Sequence, residues 1–181
     1  INIAEKNQLI FNRFPAIDGR NLNDSMIRQK TKGRTGCFMS HYALWNLLLN
    51  SYDKNMILIL EDDIKLCDNF KEKIQVVIDE MENLINVDCL MLGYNQYGDE
   101  KNIDITNHIQ KTKKKFFGLQ CYIVTNSGAE KLIKLCKVEK SFKALDVLIS
   151  ELNQDNKINI YNTKYELIKL EKQFQYYSDT G

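Results

Sequence analysis

Three consecutive carboxylates, Glu61, Asp62 and Asp63, come directly after the apolar run Met56–Leu60. A short run that is apolar on both faces is typical of a central strand covered on both sides. In an open α/β sheet, ligands bind at the carboxyl ends of the strands. Adjacent carboxylates repel one another unless a cation or hydrogen-bond donors neutralise them, and hard oxygen ligands suit Mg²⁺ or Mn²⁺, which could also hold a diphosphate. The triplet is therefore either a divalent-metal site or, with equal weight, a solvated acidic turn.

Two classes of protein place acidic residues at the end of a buried strand. A phospho-receiver module also needs a phosphoacceptor Asp at the end of a later strand and a Lys-Pro step after another. Here Asp88 precedes its expected strand, and the only proline is Pro15. The receiver class is therefore excluded, and a metal-dependent sugar-nucleotide transferase remains.

The composition is that of one globular domain, which we expect to span residues 1–181. The chain is 44% apolar and 27% charged, with a formal net charge of +1, so nothing in the balance favours a nucleic-acid partner. No apolar run approaches the length of a transmembrane segment. The five cysteines form no C-x-x-C pair, which argues against a disulfide framework or a structural zinc site and favours a soluble protein in the reduced, cytoplasmic compartment.

Strand-like and helix-like segments alternate along the chain, which predicts an α/β fold. Glycines bracket a loop at 32–36, and Ser127 with Glu130 forms a capping box for a helix. Asp68 or Asn69 is expected to cap an earlier helix. The expected strands are 14–17, 55–60, 89–92, 116–124 and 158–161, and the expected helices are 22–29, 37–52, 69–85, 129–136 and 144–153.

Four blocks of residues, in order over about 130 positions, carry a resemblance to a known family. They are similar to its segments F-x-A-[IV]-D-G, G-x-x-S-H-x-x-x-W and LEDD, and to its G-x-x-x-Y…S-x-x-G-A tail with a following Asp. The sequence thereby resembles glycosyltransferase family 25, which contains lipooligosaccharide and procollagen galactosyltransferases. The blocks are Arg13–Gly19, Gly36–Trp45, Ile59–Asp63, and Gly118–Tyr122 with Ser127–Ala129 and Ala144–Asp146.

The resemblance implies a GT-A-type fold, with a Rossmann-like nucleotide-binding sheet flanked by helices. It also implies transfer of a sugar, often galactose from UDP-galactose, to a saccharide, glycolipid or hydroxylated peptide, with inversion. On this basis Asp63 and Glu61 would hold Mn²⁺ or Mg²⁺ at the diphosphate, and Asp62 would reach the ribose or the sugar. Asp146 is the candidate general base, and its alternative role is to stabilise the N-terminus of its helix.

Three further residues have both a functional and a structural interpretation. Asp18, in the pair Asp18-Gly19, is a candidate nucleoside contact, although a turn would select the same pair. Ser40 could touch the donor or bond the backbone. His41 and Trp45 lie on the apolar stripe of their helix, which favours a buried, hydrogen-bonded histidine and a core tryptophan.

Two features bear on whether the chain is active. The basic run Lys111–Lys115 is either a solvated loop or an attractor for an acidic acceptor or the diphosphate. Members of the family open with a V-I-N-L strand and an adjacent arginine, whereas this sequence begins with Ile1-Asn-Ile, so we expect a sheet that lacks the first strand. The alternative function is therefore a catalytically inactive relative that binds a sugar or a partner.

Overall fold

The computed structural model describes residues 9–22, 32–138 and 143–170. A 3₁₀ turn, Gly19–Asn21, precedes four helices and eight strands. The helices are α1 (Lys32–Leu49), α2 (Phe70–Glu82), α3 (Asn126–Val138) and α4 (Leu145–Gln154). The strands are β1 (Met56–Leu60), β2 (Ile64–Leu66), β3 (Cys89–Tyr97), β4 (Ile103–Asp104), β5 (Ile109–Lys111), β6 (Lys115–Thr125), β7 (Ile160–Thr163) and β8 (Ile168–Leu170).

Six strands form one mixed sheet in the order β1-β6-β3-β7-β5-β4, and β2 pairs with β8 in a separate ribbon. Among the described strands, β3 and β7 run parallel, and the other pairs are antiparallel. Four helices flank the sheet. The predicted α/β class is confirmed, and the arrangement is consistent with a Rossmann-like fold. No helix in the described ranges is long and apolar enough to cross a membrane.

Strand β1 lies at one edge of the described sheet, whereas its sequence predicted a central strand. Within the described part of the chain its one pairing partner is β6, from Met56 opposite Thr125 to Leu60 opposite Cys121. The apolar character of Met56–Leu60 reports that both faces of the strand are covered. It carries no information on whether a second strand pairs along the outer edge, because backbone groups make that contact.

The two faces of the sheet support separate cores. Helices α1, α3 and α4 cover one face, where Trp45, Leu132 and Ile149 are buried, while α2 and the β2–β8 ribbon cover the other around Phe70. Side chains alternate between these faces along each strand. Ile59 belongs to the face beneath α1, and the same alternation directs the next-but-one residue, Glu61, toward α1.

The segment expected to be a strand at 14–17 is irregular and docks on α1. The Ile17 amide donates to the Ser40 hydroxyl. A Cβ added at Gly36 would lie 2.5 Å from the Ile17 carbonyl oxygen and 2.7 Å from the Gly19 amide nitrogen. The expected loop at 32–36 is the first part of α1. Gly36 is required there because the segment containing Ile17 and Gly19 crosses the helix too closely for a side chain. The helix expected at 22–29 falls almost wholly on residues outside the described ranges.

Neither predicted helix cap makes the expected side-chain hydrogen bonds, although Asn69 is at the predicted N-cap position. Asn69 occupies the N-cap position of α2 but makes no capping hydrogen bond with its side chain. At α3 the Thr125 hydroxyl accepts the Gly128 amide at 3.1 Å, so the helix starts at Asn126. Ser127 instead donates to buried Asp88 at 3.0 Å. A threonine two residues upstream therefore replaces the predicted capping box.

Candidate functional site

Glu61 lies at the end of β1, between the sheet and α1. Its amide donates to the Gln120 carbonyl at 2.9 Å, which continues the ladder between β1 and β6 by one residue. Its carboxylate reaches the helix residues Cys37 and His41, and one ligand atom from each of the three residues lies within 4.8 Å of the others. Cys37 and His41 are one helical turn apart, so they share a face of α1. Sequence reasoning did not find this cluster.

The charges of three other carboxyl groups act on Glu61. The pKa of Glu61 is raised to about 7, mainly by burial and then by the charges of Asp63, Asp146 and Asp62, in that order. Asp62 is exposed and Asp63 is half-buried. The fold therefore brings Asp146, which belongs to α4, near enough to the end of β1 for its charge to act on Glu61. Surplus negative charge of this kind is what a bound divalent cation would neutralise.

Asp146 is held in place by two backbone amides. Its Oδ2 atom accepts the Gly118 amide at 2.8 Å, and its Oδ1 atom accepts the Val147 amide at 2.8 Å. Gly118 has a φ of 86°, a conformation that glycine adopts without strain. The side chain of Gln120 lies where a Cβ of Gly118 would be. Asp146 thus lies in the first turn of its helix, where it can stabilise the helix N-terminus. Its charge also raises the pKa of Glu61.

A buried aromatic group forms the floor on the α1 side. His41 Nδ1 lies 2.8 Å from the hydroxyl oxygen of Tyr122, and Trp45 Nε1 donates to the same oxygen at 3.0 Å. Burial lowers the pKa of His41 to about 4, so its imidazole is neutral at pH 7. The buried, hydrogen-bonded histidine and the core tryptophan are as expected. The role of Tyr122 was missed because its partners are far away in sequence and join it only in the folded chain.

The other two predicted contacts are engaged locally. The Ser40 hydroxyl accepts the Ile17 amide and donates to the Gly36 carbonyl, both at 2.8 Å. Asp18 accepts hydrogen bonds from the side chain and amide of Arg20, which lower its pKa. These bonds are the structural alternatives that the sequence allowed. The contacts of Ser40 with the donor and of Asp18 with a nucleoside stay predictions.

Several residues of the basic run Lys111–Lys115 make contacts within the fold. Lys111 donates to the Asn159 side chain at 3.1 Å and lies over the ring of Tyr161. The amides of Lys113 and Lys114 donate to Asn102. None of these contacts bears on attraction of an acidic acceptor.

The donor set of the acidic cluster fits a hard divalent cation. Glu61, Asp62 and Asp63 follow one another at the strand end, and Asp146 is near enough to raise the pKa of Glu61. Carboxylate oxygens are the ligands that Mg²⁺ and Mn²⁺ take. A divalent cation bound here would offset the burial and the like charges that raise the pKa of Glu61, so the chemistry of the residues present suits such an ion.

Comparison with known proteins identifies the family. The family described as "Glycosyltransferase family 25 (LPS biosynthesis protein)" matches residues 2–149. A "Glycosyltransferase 25 family member" of Anopheles gambiae is 29% identical over 140 residues, which are 67% of this chain and 23% of that protein. The "Inactive glycosyltransferase 25 family member 3" of Mus musculus is 26% identical over 108 residues, 50% of this chain and 18% of that protein.

A viral relative extends the range. The "Procollagen lysyl hydroxylase and glycosyltransferase" of Acanthamoeba polyphaga mimivirus is 31% identical over 109 residues, 57% of this chain and 12% of that protein. The matched part spans less than a quarter of the length of each of these relatives. The family match nevertheless covers most of this sequence. The chain therefore belongs to glycosyltransferase family 25.

Proposed function

We propose that this chain carries the site of a metal-dependent, inverting glycosyltransferase with a GT-A-type sheet, which transfers a sugar from a UDP-sugar to an acceptor hydroxyl. The observation that carries the proposal is the convergence of Asp146 from α4 with the strand-end carboxylates. The charges of Asp63, Asp146 and Asp62 all raise the pKa of Glu61. One group of carboxylates can thus serve both a cation and a proton transfer.

Asp63 and Glu61 are the proposed ligands of Mg²⁺ or Mn²⁺. Such an ion would stabilise the negative charge that develops on the departing diphosphate. Asp62 is exposed beside them, which leaves its carboxylate available for a hydroxyl of the ribose or of the donor sugar. Asp18, on the segment that crosses α1, is the proposed nucleoside contact, and Ser40, on α1 itself, is the proposed donor contact.

Asp146 is the proposed general base. The amides of Gly118 and Val147 each donate to one of its oxygens, so its orientation is fixed while lone pairs remain to accept a proton. In the proposed step Asp146 takes the proton of the acceptor hydroxyl as that oxygen attacks the anomeric carbon. The new carbon–oxygen bond forms opposite the bond to the diphosphate, which breaks with its electron pair leaving on UDP.

The family suggests galactose as the donor sugar to test first, and two classes of acceptor. The family description names LPS biosynthesis, which points to a saccharide or glycolipid. The name of the viral relative includes procollagen lysyl hydroxylase, which points to a hydroxylated peptide. A cytoplasmic location for the reaction is part of the proposal and is supported by the sequence, whose five cysteines form no C-x-x-C pair.

The proposal is tested by thermal unfolding with UDP, UDP-galactose and UDP-glucose, each with and without Mn²⁺. A ligand at about 100 times its Kd adds roughly 2.7 kcal/mol of stability. In a domain of this size that corresponds to a rise in Tm of about 5–11 °C. We expect a rise that needs nucleotide and Mn²⁺ together and disappears in Asp63→Ala. Asp53→Ala, which removes an exposed carboxylate from the turn before β1, is the matched control.

A second candidate is a catalytically inactive relative that binds a sugar or a partner, because the mouse relative is named inactive. It predicts a rise in Tm with the UDP-sugar but no transfer to any acceptor. An undiminished rise in Asp63→Ala would refute the assignment of the metal ligands under either candidate.

A further inference from the structure

Cys37, His41 and Glu61 form a mixed donor set that the proposed reaction does not use as a unit. One sulfur, one imidazole nitrogen and one carboxylate oxygen lie within 4.8 Å of one another. His41 is buried and the other two are half-buried. The sequence argued against a zinc site because it has no C-x-x-C pair. The fold supplies the spacing in another way, from one turn of α1 and the end of β1.

We propose that Cys37, His41 and Glu61 bind a thiophilic divalent cation, namely Zn²⁺, with water as the fourth ligand. In a tetrahedral zinc site the bond lengths place neighbouring ligand atoms about 3.5 Å apart. Donor atoms within 4.8 Å reach that separation by side-chain adjustments of about 1 Å. Thiolate and imidazole ligands favour Zn²⁺ over Mg²⁺ or Mn²⁺, which prefer oxygen. On binding, the Cys37 thiol releases its proton to solvent and a sulfur–zinc bond forms.

Tyr122 and Trp45 already provide the support that a zinc-bound histidine needs. A ligating histidine usually donates its other ring N–H to an oxygen, which fixes the ring and its tautomer. His41 Nδ1 lies 2.8 Å from the Tyr122 hydroxyl oxygen; in the tautomer that zinc binding selects, Nδ1–H would donate to that oxygen and Nε2 would be the ligand atom. Trp45 donates to the same oxygen and holds it in place.

Zinc at this site would change the proposed reaction by recruiting Glu61. The binding of zinc is independent of that reaction, but this consequence rests on the proposed function, in which Glu61 is a ligand of Mg²⁺ or Mn²⁺. Because one carboxylate would serve two cations, zinc would compete with catalysis. The binding test below uses no activity measurement, so failure of the transferase proposal and failure of the zinc proposal are distinguishable.

The site is tested by titrating the metal-free chain with Co²⁺, a spectroscopic substitute for Zn²⁺. We expect a near-ultraviolet charge-transfer band from a Cys37–cobalt bond, which Zn²⁺ abolishes and excess Mg²⁺ does not. The band should be absent in Cys37→Ser and unchanged in Cys67→Ser, which removes another half-buried free thiol. Far-ultraviolet circular dichroism of each variant checks that it is folded.

Two results would overturn the zinc site: no band in the unmodified chain, or a band that persists in Cys37→Ser. If Cys37→Ser fails to fold, Glu61→Gln provides the second test, since it leaves the thiol and the imidazole in place. We expect Glu61→Gln to weaken Co²⁺ binding about ten-fold or more. Unchanged affinity in that variant would remove Glu61 from the site and with it the proposed competition.

Discussion

Replacing Glu61 by Gln should stabilise the metal-free protein at neutral and alkaline pH. The carboxyl group has a pKa of about 7 in the folded chain, against an ordinary value of 4.5. A raised pKa means that ionising Glu61 costs folding free energy. Below pH 4.5 the group is protonated in both states and there is no cost. The cost grows between pH 4.5 and pH 7 and is complete above pH 7. Glutamine has nearly the same shape and no charge, so it avoids this cost.

The size of the effect follows from the difference between the two pKa values. Folded and unfolded states differ by about 2.5 in pKa, which corresponds to about 3 kcal/mol of unfolding free energy. For a chain of this length the expected rise in Tm is about 6–12 °C. Asp63, Asp146 and Asp62 contribute to the raised value in addition to burial, so the gain should shrink when Mg²⁺ or Mn²⁺ neutralises the cluster.

The assay is thermal unfolding with a metal chelator present, at about pH 8.5 and about pH 5, on either side of the folded pKa. Glu82→Gln is the matched control, because Glu82 is exposed at the end of α2. We expect a large gain for Glu61→Gln at the higher pH, a much smaller gain at the lower pH and little change in the control at either. An equal change in Tm at both pH values, or destabilisation at both, would refute the argument from burial and like charge.

Two further outcomes are expected. Asp146→Asn should abolish sugar transfer but keep the rise in Tm with UDP-sugar and Mn²⁺. Asp99→Asn, at an exposed position, is the control. Full transferase activity of Asp146→Asn would exclude Asp146 as the base. Gly36→Ala should lower the unfolding free energy by about 2 kcal/mol or more, because its new methyl group meets backbone atoms of the crossing segment. Gly33→Ala, at an exposed position earlier in α1, should instead raise the unfolding free energy by up to about 1 kcal/mol. Equal values of Tm for these two glycine variants would contradict the close crossing.

Local patterns predicted the four described helices and the strands β1, β3, β6 and β7, but not the short strands β2, β4, β5 and β8. The apolar runs of β1 and β3 and the 3.6-residue stripe of α1 were identified because burial selects the residue type at each position. The helix at 144–153 was placed within one residue of α4. Family motifs also pointed to Asp146 and the acidic triplet before any distance was known.

Features that depend on distant partners escaped prediction. The Tyr122 oxygen has two partners on α1, and the Cys37 thiol meets Glu61 only because α1 lies over the end of β1. Gly36 was assigned to a loop because the sequence does not distinguish a glycine that allows close approach of another segment from a glycine that forms a turn. The edge position of β1 was hidden for a similar reason, since side chains report the faces of a strand and not its neighbours.

The shared oxygen of Tyr122 also has an evolutionary consequence. Loss of that hydroxyl would leave the Trp45 N–H and the His41 ring buried without their partner, and each such orphan costs about 1–3 kcal/mol. A substitution at any one of positions 41, 45 and 122 therefore destabilises the fold while the residues at the other two are unchanged. Across relatives of this chain, the residues aligned with 41, 45 and 122 should be exchanged as a set, so that a phenylalanine at 122 is accompanied by apolar replacements on the helix.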